Sequence, residues 1–224
     1  MILVIDMDSL EKRKSVMKDY DLIAKQYSEE FGTYIEDLDI YKEYEKHLTP
    51  GSTILDLGAG SGRTYAYFNK KGYKYIALDF SEKMKEYAYI IHGEFPYIVD
   101  DIVNIKNYFE NESIDSVFAI YSLFHLPLED LKKAIKDIYD ILKEDGILFL
   151  SFALGNKEEF VDEPYLEENG KNVLYMNYLT KREIYELLND FDIIYETEKH
   201  EFGDSVIGED GNDAIYIISR KKRK

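Results

Sequence analysis

Ile54-Leu55-Asp56-Leu57-Gly58-Ala59-Gly60-Ser61-Gly62-Arg63-Thr64 decides how this chain is read. An apolar strand ends in an acid, three glycines follow at alternate positions, and a helix-forming segment begins. Glycine permits the tight turn and removes the Cβ that would block a ligand. A helix start offers backbone N–H groups without intrahelical partners. Strand, glycine turn and helix in this order mark a nucleoside-cofactor site at the mouth of a parallel sheet. The spacing narrows the cofactor. A nicotinamide or flavin fingerprint reads G-x-G-x-x-G. With Gly58 and Gly60 as the first pair, Arg63 stands where the third glycine belongs; with Gly60 and Gly62, Tyr65 does. Both registers fail.

Working outward, strand and helix signals alternate. The spacing predicts a helical stretch from Ser15 to His47, stopped by Pro50-Gly51. Thr53–Leu57 reads as a strand, Gly62–Lys71 as a helix, Tyr73–Asp79 as a strand. Ser81 caps a helix toward Ile91, and Pro96–Val99 and Ile114–Tyr121 read as strands. Leu131, Ile135, Ile138 and Leu142 share one face of a helix over Leu128–Lys143, and Gly146–Phe152 is a strand. Such alternation implies a parallel sheet covered by helices. Ala153 to Tyr178 shows no clear period. Thr180-Lys181-Arg182-Glu183 is a capping box opening a helix to about Leu188. Phe191–Lys199 and Ala214–Ser219 read as two final strands, an antiparallel pair closing the sheet. Asp79 lies about twenty residues past the first glycine, where an acid takes ribose hydroxyls in nucleotide-binding sheets.

The pattern that stands at Asp56–Gly62, D-x-G-x-G-x-G, resembles motif I of the class I S-adenosylmethionine-dependent methyltransferases of small-molecule type. The resemblance covers roughly Tyr20 to Lys222, with its specific motifs between Asp56 and His125. It implies a doubly wound, Rossmann-like α/β sheet of seven strands, mostly parallel. The last strand would insert antiparallel beside the fifth, and an N-terminal helical cap would cover the site. One domain over 1–224 is expected, with a helical lid at 15–48 and a substrate-side insertion at 153–180.

The same resemblance assigns residues. Gly58, Ala59, Gly60 and Gly62 form the cofactor loop, and Asp56 lies near the methionine part with its positive ammonium and sulfonium. Asp79 takes the ribose, with Phe80 and Met84 flanking adenine or ribose; core packing explains those two equally well. Asp101 takes the adenine amino group and the Ile102 N–H a ring nitrogen, with Asp100 a one-residue alternative to Asp101. Ile120 to Leu126 passes under the cofactor and faces the substrate, so Ile120 touches the one and Phe124 the other. Tyr20-Asp21-Leu22-Ile23-Ala24-Lys25-Gln26-Tyr27 is similar to a Y-D-x-x-A-x-x-Y pattern whose tyrosines help close the site. An amphipathic helix packing two aromatics fits the same residues. Tyr165, Tyr175 and Tyr178 are candidates to line a substrate pocket.

The implied reaction is an in-line displacement that leaves S-adenosylhomocysteine, resting largely on positioning. His125 or Tyr121 would take a proton from the acceptor; a structural histidine at 125 is the alternative. His47, His92 and His200 have no metal-ligand spacing, and no metal is expected. A cofactor-binding protein without transferase activity is a second reading, and a nicotinamide-dependent oxidoreductase a third.

Composition bounds the partners. The 224 residues carry a net charge of −17, which disfavours nucleic acid, and no Asn-Pro-Pro-Tyr signature follows the fourth strand. No apolar run reaches bilayer length, and Met1–Met7 is too short for a signal-peptide core and lacks a basic leader. Cysteine is absent, which excludes disulfides and fits the cytoplasm. The expected partner is a small neutral or cationic molecule, the expected state a monomer or homodimer. The 21 tyrosines read as a compositional habit rather than as binding aromatics.

Overall fold

The protein is described by a computed structural model, which covers residues 7–35, 38–161, 174–201 and 212–223. Its strands are β1 (Thr53–Leu57), β2 (Lys74–Asp79), β3 (Tyr97–Val99), β4 (Ile114–Ala119), β5 (Leu142–Ala153), β6 (Glu158–Val161), β7 (Leu174–Asn177), β8 (Phe191–Glu201) and β9 (Asn212–Lys221). Its α-helices are α1 (Ser9–Phe31), α2 (Leu38–Glu45), α3 (Tyr65–Asn69), α4 (Glu82–His92), α5 (Leu128–Ile141) and α6 (Lys181–Leu187). Seven strands form one sheet in the order β3-β2-β1-β4-β5-β9-β8. Neighbours from β3 to β5 pair parallel, while β9 runs antiparallel between β5 and β8. This is the expected sheet, with the last strand beside the fifth.

Strand alternation builds a core on each face. Leu55 and Leu57 of β1 pack with Leu131, Ile135 and Ile138 of α5, Ile184 of α6 and Ile23 of α1. Ile54 faces the other way, with Ile40, Tyr41 and Tyr44 of α2, Phe68 of α3 and Ala88 of α4. There Tyr44 and Phe149 rings lie 5.0 Å apart, and Phe118 and Phe149 5.2 Å. Part of the tyrosine content therefore fills the core.

Several boundaries differ from the sequence reading. The N-terminal helical stretch is two helices. α1 ends where the Gly32 N–H closes on the Ser28 carbonyl, and α2 buries its tyrosines beneath the sheet. Of the expected lid over 15–48, α1 alone lines the cleft described below. α3 starts at Tyr65, not Gly62, because Gly62 has φ of +74° and belongs to the loop. α5 stops at Ile141, since Leu142 already pairs with Ile114; a register shift then absorbs Lys143–Gly146. Inside the expected irregular insertion, β6 and β7 form an antiparallel hairpin.

Candidate active site

The sheet reverses its winding between β1 and β4, so a crevice opens beyond their carboxyl ends. The glycine loop leaves β1 there. Gly58 has φ of +76°, and a Cβ on it would meet the Ser122 Cβ at 2.3 Å. Gly60 has φ of +52°, and a Cβ on it would point into open space, 4.0 Å from Tyr27. Its peptide is fixed at both ends: the N–H donates to Asp79 Oδ2 at 2.9 Å, and the carbonyl accepts from the Tyr97 hydroxyl at 2.7 Å. Gly60 thus forms a bare, rigid floor. Gly62 faces away, toward Phe95.

Asp79 also accepts the Ser81 N–H on Oδ1 at 2.9 Å. Each carboxylate oxygen carries one backbone donor and keeps capacity for a second, as a pair of vicinal hydroxyls requires. Burial raises its pKa to about 6 against those two hydrogen bonds. Asp56 is buried under the loop, accepting from Thr64 Oγ1 and the Tyr75 hydroxyl, both at 2.5 Å. Burial lifts it to about 6 as well. It ties β1, β2 and the start of α3 together.

The main cleft, about 640 Å³, runs above Gly58 and Gly60 and is lined by Asp79, Phe80, Met84, Asp101 and Ile102. A recess of about 380 Å³ adjoins it, lined by Asp56, Ala59, Arg63, Ile120 and Tyr121. Tyr27, Gly58, Gly60 and Tyr121 border both. All of the candidate cofactor residues but Gly62 therefore converge, with Asp56, Ala59 and Ile120 on the recess. Asp100 turns away to Asn104 and Tyr108, whereas Asp101 borders the cleft.

α1 lies along this cleft. Arg13, Tyr20 and Tyr27 line it at seven-residue steps, about 10.5 Å of helix rise each. Tyr20 donates to His125 Nε2, 2.9 Å away, and His125 Nδ1 is 2.8 Å from the Tyr175 carbonyl. A carbonyl only accepts, so Nδ1 carries the ring proton and Nε2 the lone pair. Burial lowers the His125 pKa to about 4, which keeps the ring neutral. Tyr121, at φ +57°, gives its N–H to Ser151 Oγ and pairs its hydroxyl with Tyr216. Phe124 is packed against His125, and Tyr178 is buried beside Lys157 and Gly155. Phe124, Tyr175 and Tyr178 do not line the cleft; Tyr175 instead fixes His125 through its backbone. Tyr165 lies outside the described residues. Among the described residues no cluster of three potential metal ligands occurs.

Arg13 and Tyr97 are site residues that the sequence reading missed, and Ser122 it gave only as part of the Ile120–Leu126 stretch. Asp8-Ser9-Leu10-Glu11 is a capping box that starts α1 early enough to include Arg13, and this signal was legible. Nothing local marks Tyr97.

A family model described as the methyltransferase domain matches residues 55–150, from β1 through β5. Residues 55–150 carry a methyltransferase domain. The domain's cofactor is S-adenosylmethionine, and the bare Gly60 floor beside the Asp79 carboxylate fits its ribose. A SAM-dependent methyltransferase structure from Methanosarcina mazei superposes with a TM-score of 0.70 at 19% identity, covering 82% of this chain and 99% of that one. The 1,6-didemethyltoxoflavin-N1-methyltransferase of Burkholderia thailandensis, with bound S-adenosylhomocysteine, gives 0.69 at 16% identity, covering 99% and 94%. These likenesses show the fold. Phosphoethanolamine N-methyltransferase 1 of Triticum aestivum is 33% identical over 104 residues, 45% of this chain. The match spans about a fifth of that relative's length, 21%. No helix among the described residues is long and apolar enough to cross a membrane.

Proposed function

We propose that this protein transfers the methyl group of S-adenosylmethionine to a nitrogen or oxygen of a small neutral or cationic molecule. The observation that carries the reading is the Gly60–Asp79 contact, which sets a carboxylate with spare acceptor capacity beside a Cβ-free floor. When bound, the cofactor supplies a methyl already activated by its sulfonium. The protein's work is then alignment and exclusion of water.

Tyr20 and His125 make the acceptor side. Tyr20 lines the cleft with its hydroxyl held on His125 Nε2. A methyl acceptor bound beside this fixed hydroxyl would be oriented by it. His125, with its pKa near 4, stores a proton poorly, so its first role is to hold the Tyr20 hydroxyl. The Tyr121 hydroxyl is engaged with Tyr216, which favours a positioning role for it too.

The charged residues lining the main cleft are Asp79, Asp101 and Arg13, and Arg13 is paired to Asp101 and Asp130. That balance suits a neutral or cationic acceptor and disfavours nucleic acid, as does the net charge of −17. The related N-methyltransferases act on small molecules by name, which supports the class. A cytoplasmic monomer or homodimer completes the reading.

Incubation with methyl-labelled S-adenosylmethionine and a fractionated metabolite extract tests it. Label should appear in a small, extractable product. Binding of S-adenosylhomocysteine without any labelled product would make this a cofactor-binding protein. Binding of NAD in its place would overturn the reading altogether.

A further inference from the structure

Arg13 stands at the Asp101–Ile102 end of the cleft, the end the resemblance gives to adenine, remote in sequence from the glycine loop. Its Nε donates to Asp101 Oδ2 at 2.7 Å, and its Nη1 pairs with Asp130. Asp101 caps the 3-10 turn after β3 by accepting the Val103 N–H. Asp130 sits in the first turn of α5. One side chain of α1 therefore grips two other elements, and it does so while lining the cleft beside Ile102. The Arg13 side chain keeps only 12% of its surface exposed, so solvent screens the pair weakly. Next to it, Lys12 pairs with Glu158 of β6 at 2.8 Å and lies 4.9 Å from the Tyr175 ring centre.

We propose that Arg13 is the cofactor-retaining clasp of this protein: by bridging Asp101 and Asp130 it locks α1 across the adenine end of the cleft, and cofactor release requires that bridge to open. The inference rests on the S-adenosylmethionine site proposed above. Binding itself does not compete with the bridge. Asp101 accepts Arg13 on one oxygen and Val103 on the other, and each oxygen has capacity for a second donor such as an adenine amino group. Passage is another matter. Arg13, Tyr20 and Tyr27 follow one face of α1 over about 21 Å, so the helix lies along the cleft like a bar. At its N-terminal end the ion pairs of Lys12 and Arg13 fasten it. A guanidinium is suited to this task, since its planar fork reaches two carboxylates at once where an ammonium is a point charge.

The test is the dissociation rate of S-adenosylhomocysteine, measured by surface plasmon resonance on the immobilised full chain. Arg13→Gln should accelerate dissociation at least tenfold. Asp130→Asn, which leaves Arg13 and every other cleft residue in place, should accelerate it at least threefold. Arg13→Lys should remain closer to Arg13→Gln than to the wild type. Melting curves identify folded variants, and Asp130→Asn carries the test should Arg13→Gln fail to fold. A wild-type rate in Asp130→Asn, or full retention in Arg13→Lys, overturns the clasp while leaving the cofactor site intact. A wild-type chain that binds no S-adenosylhomocysteine overturns the proposed function, and this inference with it.

Discussion

Burial sets the pH behaviour of Asp79 in the cleft and of Asp56 under the glycine loop. Asp79 is raised to about 6 by burial, and only its ionised form accepts two hydroxyls while holding Gly60 and Ser81. Cofactor affinity should therefore fall as pH drops through about 6, by about tenfold between pH 7 and pH 5. Calorimetry across that range checks this, and Asp79→Asn should bind weakly with a flatter pH profile. His125 moves oppositely: burial takes it down to about 4, below its ordinary 6.5. Its folded form binds fewer protons than its unfolded form between those values. It thus contributes stability that is present above about pH 6.5 and lost as pH falls toward 4, roughly 3 kcal/mol at most. The His125 C2–H resonance should hold its neutral position down to about pH 5; a midpoint near 6.5 would contradict the buried Tyr20–His125–Tyr175 arrangement. Asp56, Asp79 and Asp101 were legible because each ends or follows a strand at a fixed place in the motif. The partner of His125 was not, because Tyr20 and Tyr175 reach it from segments 105 and 50 residues away.

At the scale of elements, the glycine loop separates folding from binding. Ala at position 58 meets Ser122 at 2.3 Å in a left-handed backbone. Gly58→Ala should cost about 1–2 kcal/mol for the backbone and a further 1–3 kcal/mol or so for overpacking. Ala at position 60 meets nothing closer than 4.0 Å. Gly60→Ala should lose only the backbone term, about 1–2 kcal/mol, yet weaken S-adenosylhomocysteine at least about tenfold by filling its floor. Thermal melts and calorimetry on the pair distinguish the two; a wild-type affinity in a folded Gly60→Ala would show that the cofactor does not lie over Gly60. The strands β1, β2 and β4 were legible because buried parallel strands read as apolar runs between turn signals. The break between α1 and α2 was not, since both helices keep a three-to-four-residue period and only Gly32 interrupts it. The β6–β7 hairpin was hidden for a related reason. Its strands are four residues long each, too short for a period to show.

For the whole molecule, charged contacts gather where α1 borders the cleft. The sheet core is closed on both faces: Ile54, Leu55, Val117 and Leu148 have no exposed surface. α1 buries Val16, Ile23 and Ala24 and adds contacts that cross the cleft and its rim: Lys12 to Glu158, Arg13 to Asp101, Tyr20 to His125 and Asp21 to Ser81. Elements held at a rim open at lower free energy than the core, and lids are drawn from them. We expect the amides of α1 and of the β6–β7 hairpin to exchange faster than those of β1, β4 and β5 in the empty protein. S-adenosylhomocysteine should slow α1 first, because Arg13, Tyr20 and Tyr27 all line the cleft. The β6 and β7 strands reach that cleft indirectly, through Lys12, the Tyr175 carbonyl and the Asn177–Leu126 hydrogen bond, so their protection should be partial with cofactor and complete only with the methyl acceptor. Hydrogen exchange read by mass spectrometry resolves the order. Should α1 exchange as slowly as β4 before any ligand is added, the site is preformed, and α1 is a wall and not a lid.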